Sequence, residues 1–366
     1  MNVSDSAAGN RTAGWGPYPP VVPGGARRRT ALAVTLGPAS ESPSCVRRMV
    51  AEGVDVVRLA LNSGDHAWHR RVVGAVREAA DAGGRPVRLL ADLQDRKNRL
   101  GGLPDGTAEW QPGQTVELTA RRGEFTSHRT WLSHGWAAGR AVKGTRVLID
   151  DGLLELCVEQ ADADVLRCTV VAGGRVGTGR GVAVQGAGAR PADLTDKDVN
   201  DLLFVRELGV DAVALSFAAG PETAARIRDL APGVEVIGKI EHDEGVERMQ
   251  ELAAAFDGLM VARGDLAVEL PYTEVPFLQK AVVGACAGHG KVSMVATQLL
   301  HSMRDSALPS RAEVADITQA VLDGADCLVL TGETGYGRHP VAAVRTLREV
   351  VERAERHLAE QPRGAR

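Results

Sequence analysis

The feature that most constrains the fold of this chain is a repeated alternation between short apolar runs and longer amphipathic stretches. Runs such as ALAVTL (31–36), VRLLADL (87–93), VDAVALSF (210–217) and DGLMVA (257–262) are continuously apolar, which is typical of parallel strands covered on both faces. Because a helical pattern separates one run from the next, the chain is predicted to form successive βα units. About eight strands are expected, the number that closes a barrel. A doubly wound open sheet is the alternative, although no GxGxxG motif follows the first strand to favour it.

One interval, residues 95–188, interrupts this alternation. TVELTA (115–120), RVLIDDGLLELCVE (146–159) and DVLRCTVVAGGRV (164–176) indicate short strands separated by Gly, Asp and Pro turns. The predicted fold is therefore an α/β (β/α)8 TIM barrel with a small all-β domain inserted after the third barrel strand. Residues 29–94 and 189–357 would form the barrel. A lid over the C-terminal mouth of the barrel is the expected role of the insert.

Composition limits the setting in which the chain can act. Residues 1–28 are rich in Gly and Pro and lack the order of a secretory signal, so we expect a disordered tail, with a second, charged tail at 358–366. No run of eighteen apolar residues is present, so no membrane span is expected. The five scattered cysteines favour free thiols in a cytoplasmic protein over disulfides or a zinc site. A net charge of −4 without a basic cluster argues against nucleic-acid binding.

Polar residues follow the predicted strands at their C-terminal ends, where the catalytic groups of such barrels lie. In chain order they are Arg58, Asp92, Ser216, Lys239, Glu241, Arg263, Asp265, Thr297 and Glu333. Lysine is scarce, with six among 43 basic residues, which draws attention to Lys239 at the end of VEVIGK. A lysine there could neutralise anionic oxygens or, when desolvated, act as an acid or base. The alternative is a lysine whose stem covers the strand end while its ammonium reaches solvent.

Glu241 and Asp265 end neighbouring strands and together indicate a site for one hard cation. Two carboxylates, completed by substrate oxygens and water, suit Mg²⁺. Gly264 would expose backbone N–H groups that could hold a carboxylate or phosphate at a helix start. Taken singly, each residue also fits a structural role, since acidic residues and threonines such as Thr297 are common at helix N-termini.

Longer stretches around these residues resemble the pyruvate kinase family. GKIEHDEGVERM, DGLMVARGDLAVELP, VATQLLHSM and SRAEVADITQAVLDGADCLVLTGET follow that family's pattern almost without gaps, within a resemblance that covers about residues 29–357. The resemblance implies the barrel, the inserted lid domain and phosphoryl transfer from phosphoenolpyruvate to ADP, giving pyruvate and ATP. It also implies dependence on Mg²⁺ or Mn²⁺.

The resemblance further implies roles for single residues. Lys239 would stabilise the phosphoryl group in transfer, and Thr297 would lie beside the enolate carbon that is protonated. The other implied assignments are Glu241 and Asp265 for the metal; Ser216, Arg263 and the amides of Gly264 and Asp265 for the substrate; Arg58 for phosphate and catalysis; and Arg58, Arg99 and Arg180 for the nucleotide. Such a set fits phosphoryl transfer, which needs charge neutralisation and positioning more than a covalent catalyst.

The chain departs from the family's pattern mainly on the nucleotide side. Ala60, Asn62 and Leu93 replace three oxygen ligands that hold potassium in the usual enzyme. Lys97 resembles the potassium-independent branch, in which an ammonium supplies the missing charge, so we predict that K⁺ is not required. Asp95-Arg96 stands in place of Gly-Pro and also alters the ADP side. Drift after a loss of function is the alternative explanation.

Three classes of function therefore stay open. The first is a pyruvate kinase. The second is a metal-dependent enzyme of pyruvate enolates, such as an aldolase or decarboxylase, or a phosphotransferase with an acceptor other than ADP in a specialised pathway. The third is a non-catalytic sensor of phosphoenolpyruvate, against which the retention of Lys239 argues. The resemblance does not include the family's C-terminal regulatory domain, so sugar-phosphate activation is not expected. A homo-oligomer is compatible with the family but is not specified by these residues.

Overall fold

A computed structural model of the protein describes residues 28–94, 97–123, 125–134, 140–150, 152–186 and 194–361. The first barrel elements are β1 (Ala31–Thr35), α1 (Pro43–Ala51), β2 (Val56–Ala60), α2 (His66–Gly83) and β3 (Arg88–Asp92). Ser42 caps α1 by accepting a hydrogen bond from the Cys45 amide. Helix α2 ends at Gly84, whose φ of 61° is a left-handed conformation that glycine adopts without strain.

Between β3 and helix α3 (Asp196–Leu208), the described residues form strands and one short 3-10 turn, with no α-helix among them. The strands are β4 (Asn98–Arg99), β5 (Thr107–Trp110), β6 (Thr115–Thr119), β7 (Arg129–Trp131), β8 (Arg146–Ile149), β9 (Leu154–Ala161), β10 (Val165–Ala172), β11 (Gly174–Gly177) and β12 (Gly181–Val184). Seven of them form one sheet in the order β4-β12-β8-β9-β10-β6-β7, and β5 pairs with β11. Trp110, Leu156 and Leu166 belong to a core of their own, distinct from the barrel core. We call the part of the chain that carries β4–β12, from Lys97 to Gly186, the β region.

The second part of the barrel returns to alternating helices and strands. Its elements are α3 (Asp196–Leu208), β13 (Ala212–Leu215), α4 (Pro221–Leu230), β14 (Glu235–Ile240), α5 (Asp243–Glu247), α6 (Met249–Ala255), β15 (Gly258–Ala262), α7 (Arg263–Glu269), α8 (Val275–Gly288), β16 (Val292–Ala296), α9 (Arg311–Leu322), β17 (Cys327–Leu330), α10 (Gly332–Gly335) and α11 (Pro340–Glu360). Capping boxes fix the starts of α3 and α9, through Thr195 with Asp198 and Ser310 with Glu313. Within the described residues, no helix is long and apolar enough to cross a membrane.

Eight parallel strands close into a barrel in the order β1-β17-β16-β15-β14-β13-β3-β2. Residues such as Leu90, Ile237 and Met260 fill its interior, and a larger apolar core lies between the strands and the surrounding helices. Because both faces of each strand are covered, the strands are continuously apolar. The prediction of an α/β (β/α)8 TIM barrel is confirmed. The doubly wound alternative is wrong, since the pairing of β1 with β17 closes the sheet.

The predicted boundaries of the insert and of the two tails can be compared with the structure only in part. The insert was placed at 95–188, but residues 95–96 and 187–193 lie outside the described part, as do most of the predicted tails. Arg28, assigned to the first tail, is buried and pairs with Asp55. Helix α11 continues to Glu360, three residues past the predicted limit of 357. Helix ends are poorly specified by local sequence, because fraying and capping shift them by one or two residues.

Candidate active site at the barrel mouth

Lys239, near the end of β14, lies at the centre of a charged cluster at the C-terminal mouth of the barrel. Its Nζ is 3.0 Å from Asp92 Oδ1 and 3.2 Å from Glu241 Oε1. Arg58 donates from Nε to the other oxygen of Asp92 at 2.6 Å and from Nη1 to Thr35 Oγ1 at 2.9 Å. The ends of neighbouring strands β1, β2, β3 and β14 therefore bring these side chains together, as the strand-end rule predicts.

Burial opposes the charges of this cluster, and ion pairing overcomes that effect at two of its members. Burial alone would lower the pKa of Lys239, but Asp92 and Glu241 outweigh it and raise that pKa well above its usual value. Burial would likewise raise the pKa of Asp92, but Arg58 and Lys239 hold it below its usual range. Lys239 is therefore a fixed positive charge at neutral pH, which favours neutralisation of anionic oxygens over acid–base chemistry.

Glu241 behaves differently from Asp92. Burial raises its pKa to about 7 even though Lys239 lowers it, and the negative charges of Asp265 and Asp92 contribute to the rise. Its Oε2 accepts a hydrogen bond of 2.7 Å from the Phe217 amide. Glu241 is thus close to the border between its neutral and ionised forms at neutral pH, and a cation bound by Glu241 and Asp265 would favour the ionised form.

The donor set at this position fits a hard divalent cation. Among the residues that the structure describes, no group of three or more His, Cys, Asp or Glu is arranged to hold a metal ion. A site of two carboxylates suits Mg²⁺, which commonly takes one or two carboxylates and completes its shell with water and substrate oxygens. Glu241 and Asp265 are the residues that would hold such an ion.

Asp265 already has a cationic neighbour from the β region. The Nζ of Lys97 forms an ion pair with Asp265 Oδ1. Close by, Gln185 Nε2 donates to the Val268 carbonyl at 3.0 Å, a second contact between the β region and α7. A cleft of about 290 Å³, part of it open to solvent, lies between the two parts of the chain. Its lining includes Lys97, Leu148, Val182, Phe217, Asp265 and Glu269.

Thr297, the residue after β16, has an unusual backbone conformation. Its φ is 71° and that of Gln298 is 56°, so two consecutive non-glycine residues are left-handed. A β-branched residue there is strained by about 1–3 kcal/mol and persists only when its surroundings hold it. Thr297 Oγ1 accepts a hydrogen bond of 2.7 Å from the Gly264 amide. Its carbonyl accepts from Arg263 Nη2 at 2.8 Å and from Nε at 3.2 Å.

The structure places the other predicted site residues in two groups. Ser216, the residue after β13, is buried, and its hydroxyl donates a hydrogen bond to the Leu93 carbonyl at 3.3 Å. Arg99 and Arg180 lie in the β region on adjoining backbone, where Arg99 Nη1 donates to the Gly179 carbonyl at 3.3 Å and Arg180 Nη1 is 3.2 Å from Asp150 Oδ1. The residues predicted to bind substrate and metal therefore lie around the barrel mouth. Of the predicted nucleotide arginines, Arg99 and Arg180 belong to the β region and Arg58 lies at the mouth on β2.

Sequence reasoning missed several residues that support this site. Thr35 contacts Arg58, and it could have been found because it is a polar residue at the end of β1. Asp316 pairs with Arg263 at 2.7 Å, but it comes from helix α9, so a search of strand ends could not find it. The altered pair Asp95-Arg96 lies outside the described residues.

A closed parallel barrel with a β region after its third strand and a charged mouth around a buried lysine defines a class of TIM-barrel enzymes. The family model "Pyruvate kinase, barrel domain" matches residues 27–344. The chain belongs to the pyruvate kinase family, whose members are phosphotransferases.

Three relatives show the extent of the similarity. The pyruvate kinase of Mycobacterium tuberculosis is 41% identical over 339 residues, covering 92% of this chain and 72% of that protein. The pyruvate kinase of Corynebacterium glutamicum is 42% identical over 333 residues, 90% of this chain and 70% of that protein. Pyruvate kinase PKLR of Homo sapiens is 37% identical over 361 residues, 93% of this chain and 63% of that protein.

Proposed function

We propose that this chain transfers the phosphoryl group of phosphoenolpyruvate to ADP, giving pyruvate and ATP, in the cytoplasm and with Mg²⁺ or Mn²⁺. The observation that carries the proposal is Lys239, a buried and permanently charged ammonium between Asp92 and Glu241. A phosphoryl group in transfer gathers negative charge on its oxygens, and preorganised cations stabilise it at no cost of reorganisation. The names of the relatives support the same reaction.

Each charged residue at the mouth has a distinct task in this proposal. Lys239 and Arg58 neutralise phosphoryl oxygens, and Asp92 holds both cations in place. Glu241 and Asp265 hold the divalent ion, which supplies further neutralisation of substrate oxygens when bound. Ser216 and the backbone of Arg263, Gly264 and Asp265 would orient the substrate. Thr297, whose hydroxyl is held by the Gly264 amide, would stand beside the carbon that receives a proton.

We further propose that the β region, within residues 95–188, is a lid that carries the nucleotide side of the site. The contacts of Lys97 and Gln185 with α7 across the cleft support this proposal. Arg99 and Arg180 would face the phosphates of ADP from β4 and the turn before β12. Closure of such a lid excludes water and strengthens every ion pair beneath it.

Lys97 would make the reaction independent of potassium. Its ammonium lies at the mouth against Asp265 and would supply a positive charge in place of a monovalent ion, for which Ala60 and Leu93 offer no side-chain oxygen. A lysine is a compact charge that can replace a bound cation electrostatically.

The test follows pyruvate release from phosphoenolpyruvate with ADP and Mg²⁺, in Na⁺ and in K⁺ buffers. We expect ADP-dependent pyruvate at rates that differ by less than about twofold between the two salts. Lys97→Met should lower kcat by about tenfold or more, on the scale of a lost electrostatic contact, and K⁺ should not restore it. Lys143→Met is the matched control, because Lys143 pairs with Glu159 in the β region and is largely exposed. Restoration of the Lys97→Met variant by K⁺ would contradict the role given to Lys97.

The second candidate is an enzyme that acts on a pyruvate enolate or moves phosphate to another acceptor. The substitutions on the acceptor side favour it, since Ala60, Asn62 and Leu93 depart from the family while Lys239, Glu241, Asp265 and Thr297 do not. Binding of Mn²⁺ and a pyruvate analogue without any ADP-dependent pyruvate would support this second function against the first.

A further inference from the structure

Arg263 is a buried arginine whose side chain is held by groups from three elements. Nε and Nη2 donate to the carbonyl of Thr297 at 3.2 and 2.8 Å. Nη1 donates to both carboxylate oxygens of Asp316 on α9 at 2.7 Å, and to Gln279 Oε1 on α8 at 3.3 Å. The planar guanidinium presents its donors in a rigid fork, so it fixes the geometry of the groups that it binds. Sequence reasoning assigned Arg263 to the substrate, whereas its side chain is committed to the protein.

The carbonyl that Arg263 holds belongs to the strained turn after β16. Thr297 and Gln298 are both left-handed, and a β-branched residue stays in that conformation only when several contacts impose it. Arg263 and Gly264 supply those contacts from one short segment. The Arg263 guanidinium donates a hydrogen bond to the Thr297 carbonyl, and the Gly264 amide donates one to the Thr297 hydroxyl. The orientation of the Thr297 hydroxyl is therefore tied to the position of the Arg263 fork.

We propose that Arg263 is a positioning residue for proton delivery, acting through Thr297, with Asp316 as the anchor of its guanidinium. The inference rests on the proposed function, in which Thr297 lies beside the carbon that is protonated. In that step the enolate of pyruvate gains one proton from solvent, a C–H bond forms at the methylene carbon, and the enolate oxygen becomes the carbonyl of pyruvate. A misplaced hydroxyl slows this step while the groups that bind phosphate and metal stay in place.

The experiment measures exchange of the methyl protons of pyruvate with D₂O by NMR, with Mg²⁺ and ATP present, beside kcat and KM for phosphoenolpyruvate. Arg263→Lys keeps the positive charge but loses the planar guanidinium and its fixed set of N–H donors. We expect exchange and kcat to fall by about tenfold to a hundredfold, the scale of a catalytic group displaced by about 1 Å. KM should change by less than about threefold, because no direct contact with substrate is lost. Asp316→Asn should act in the same direction and more weakly.

Two comparisons make the result specific. In a Thr297→Val background, Arg263→Lys should have no further effect on exchange, because residues that act through one another are not additive. Arg228→Lys is the matched control: Arg228 donates to the Ala255 carbonyl at 3.0 Å and pairs with Asp257 at 2.9 Å. It lies at the other end of the barrel, so its loss should leave exchange unchanged.

Several outcomes would overturn the proposal. One is a tenfold rise in KM for Arg263→Lys with unchanged proton exchange, which would mean that Arg263 binds the substrate directly. Another is that Arg263→Lys and Thr297→Val each lower proton exchange and that their effects multiply in the double variant. If Arg263→Lys does not fold, Asp316→Asn decides, since the Asp316 side chain is 37% exposed and this variant retains the arginine while removing the charge that anchors it.

A failure of the proposed function would show differently, as a wild-type chain with neither ADP-dependent pyruvate nor proton exchange. The positioning role is then decided by hydrogen exchange of the Gly264 amide, which is bonded to Thr297 Oγ1. Arg263→Lys should speed that exchange by about tenfold while amides of β15 keep their protection, since local opening is independent of the barrel core. Equal protection of Gly264 in both chains would overturn the positioning role.

Discussion

The two ends of the barrel hold their carboxylates in different ways. At the N-terminal end, an aspartate stands one residue before every second strand, and its carboxylate and amide both bond to the backbone of the preceding barrel strand. The four aspartates are Asp55, Asp211, Asp257 and Asp326, paired with Leu32, Leu89, Val236 and Ser293 at 2.8, 2.7, 2.8 and 3.0 Å between carboxylate and amide. At the N-terminal end, arginines add ion pairs to these backbone bonds at Asp55 and Asp257. At the mouth, the pairs that hold Asp92 and Asp265 are with the side chains of Arg58, Lys239 and Lys97.

The difference separates stability from chemistry. A backbone amide at a strand start cannot move without breaking the sheet, so the aspartates of the N-terminal end are permanently occupied. Ammonium and guanidinium groups on side chains can be shared with an incoming phosphate or displaced by a metal ion. Because the carboxylates of the mouth are balanced by side chains that can move, the mouth can still bind a phosphate or a metal ion. This agrees with the general rule that one end of such barrels serves stability and the other serves catalysis.

The largest expected effect comes from removing the central cation of the mouth. Lys239→Met should lower kcat by about 10³-fold or more, because the phosphoryl group loses its buried counter-charge. The free energy of unfolding should fall by only about 1–2 kcal/mol. Asp92 keeps Arg58, and Glu241 can take up a proton because its pKa already lies at about 7. Steady-state kinetics and urea unfolding measure the two quantities; activity within tenfold of wild type would remove Lys239 from the mechanism.

The converse change at the N-terminal end should affect stability alone. Asp55 pairs with Arg28, whose side chain is only 1% exposed, and with Arg85. Asp55→Asn keeps the shape but leaves a buried guanidinium uncompensated, which should lower the free energy of unfolding by about 3 kcal/mol. We expect kcat at 25 °C to stay within about twofold of wild type. A loss of kcat with unchanged stability would break the separation between the two ends.

Sequence alone predicted most of the fold and the composition of the mouth. Continuous apolar runs are typical of buried parallel strands, and the position of Lys239, Glu241 and Asp265 at or after the ends of such runs places them at one end of the barrel. The direction of a side chain is harder to predict, because it depends on partners far away in the chain. Arg263 turns to Asp316, a residue of α9 that no strand pattern marks. The ion pair of Lys97 with Asp265 likewise depends on how the β region lies against α7.

The aspartates of the N-terminal end were also missed, although their signal is local. Each stands in a short apolar context, in VDV, VDA, FDG and ADC, directly before a strand. A single aspartate at a strand start is unremarkable, and only its recurrence before alternate strands indicates a structural rule. The roles assigned to the residues of the mouth stay predictions.

The smallest expected effect concerns the pH dependence of metal binding at the mouth. Glu241 has a pKa of about 7, above the ordinary value of 4.5, so below pH 7 the metal-free chain holds a proton there. A divalent ion must displace that proton, and its affinity should therefore rise about fivefold from pH 6 to pH 7, about tenfold from pH 6 to pH 8, and then level off. Mn²⁺ binding followed by electron paramagnetic resonance, without substrate, measures the dissociation constant directly.

Glu241→Gln provides the matched control, because the amide keeps the size of the side chain and does not titrate in this range. Its Mn²⁺ affinity should be weaker than that of wild type and should change little between pH 6 and pH 8. A wild-type affinity that is also flat over this range would mean that Glu241 is ionised before the metal arrives. Lys239 would then stabilise the ionised form of Glu241 as Arg58 stabilises that of Asp92, and a divalent ion would compete with Lys239 rather than with a proton. The contrast between occupied carboxylates at one end and an available one at the other depends on the proton that Glu241 can exchange for a metal ion.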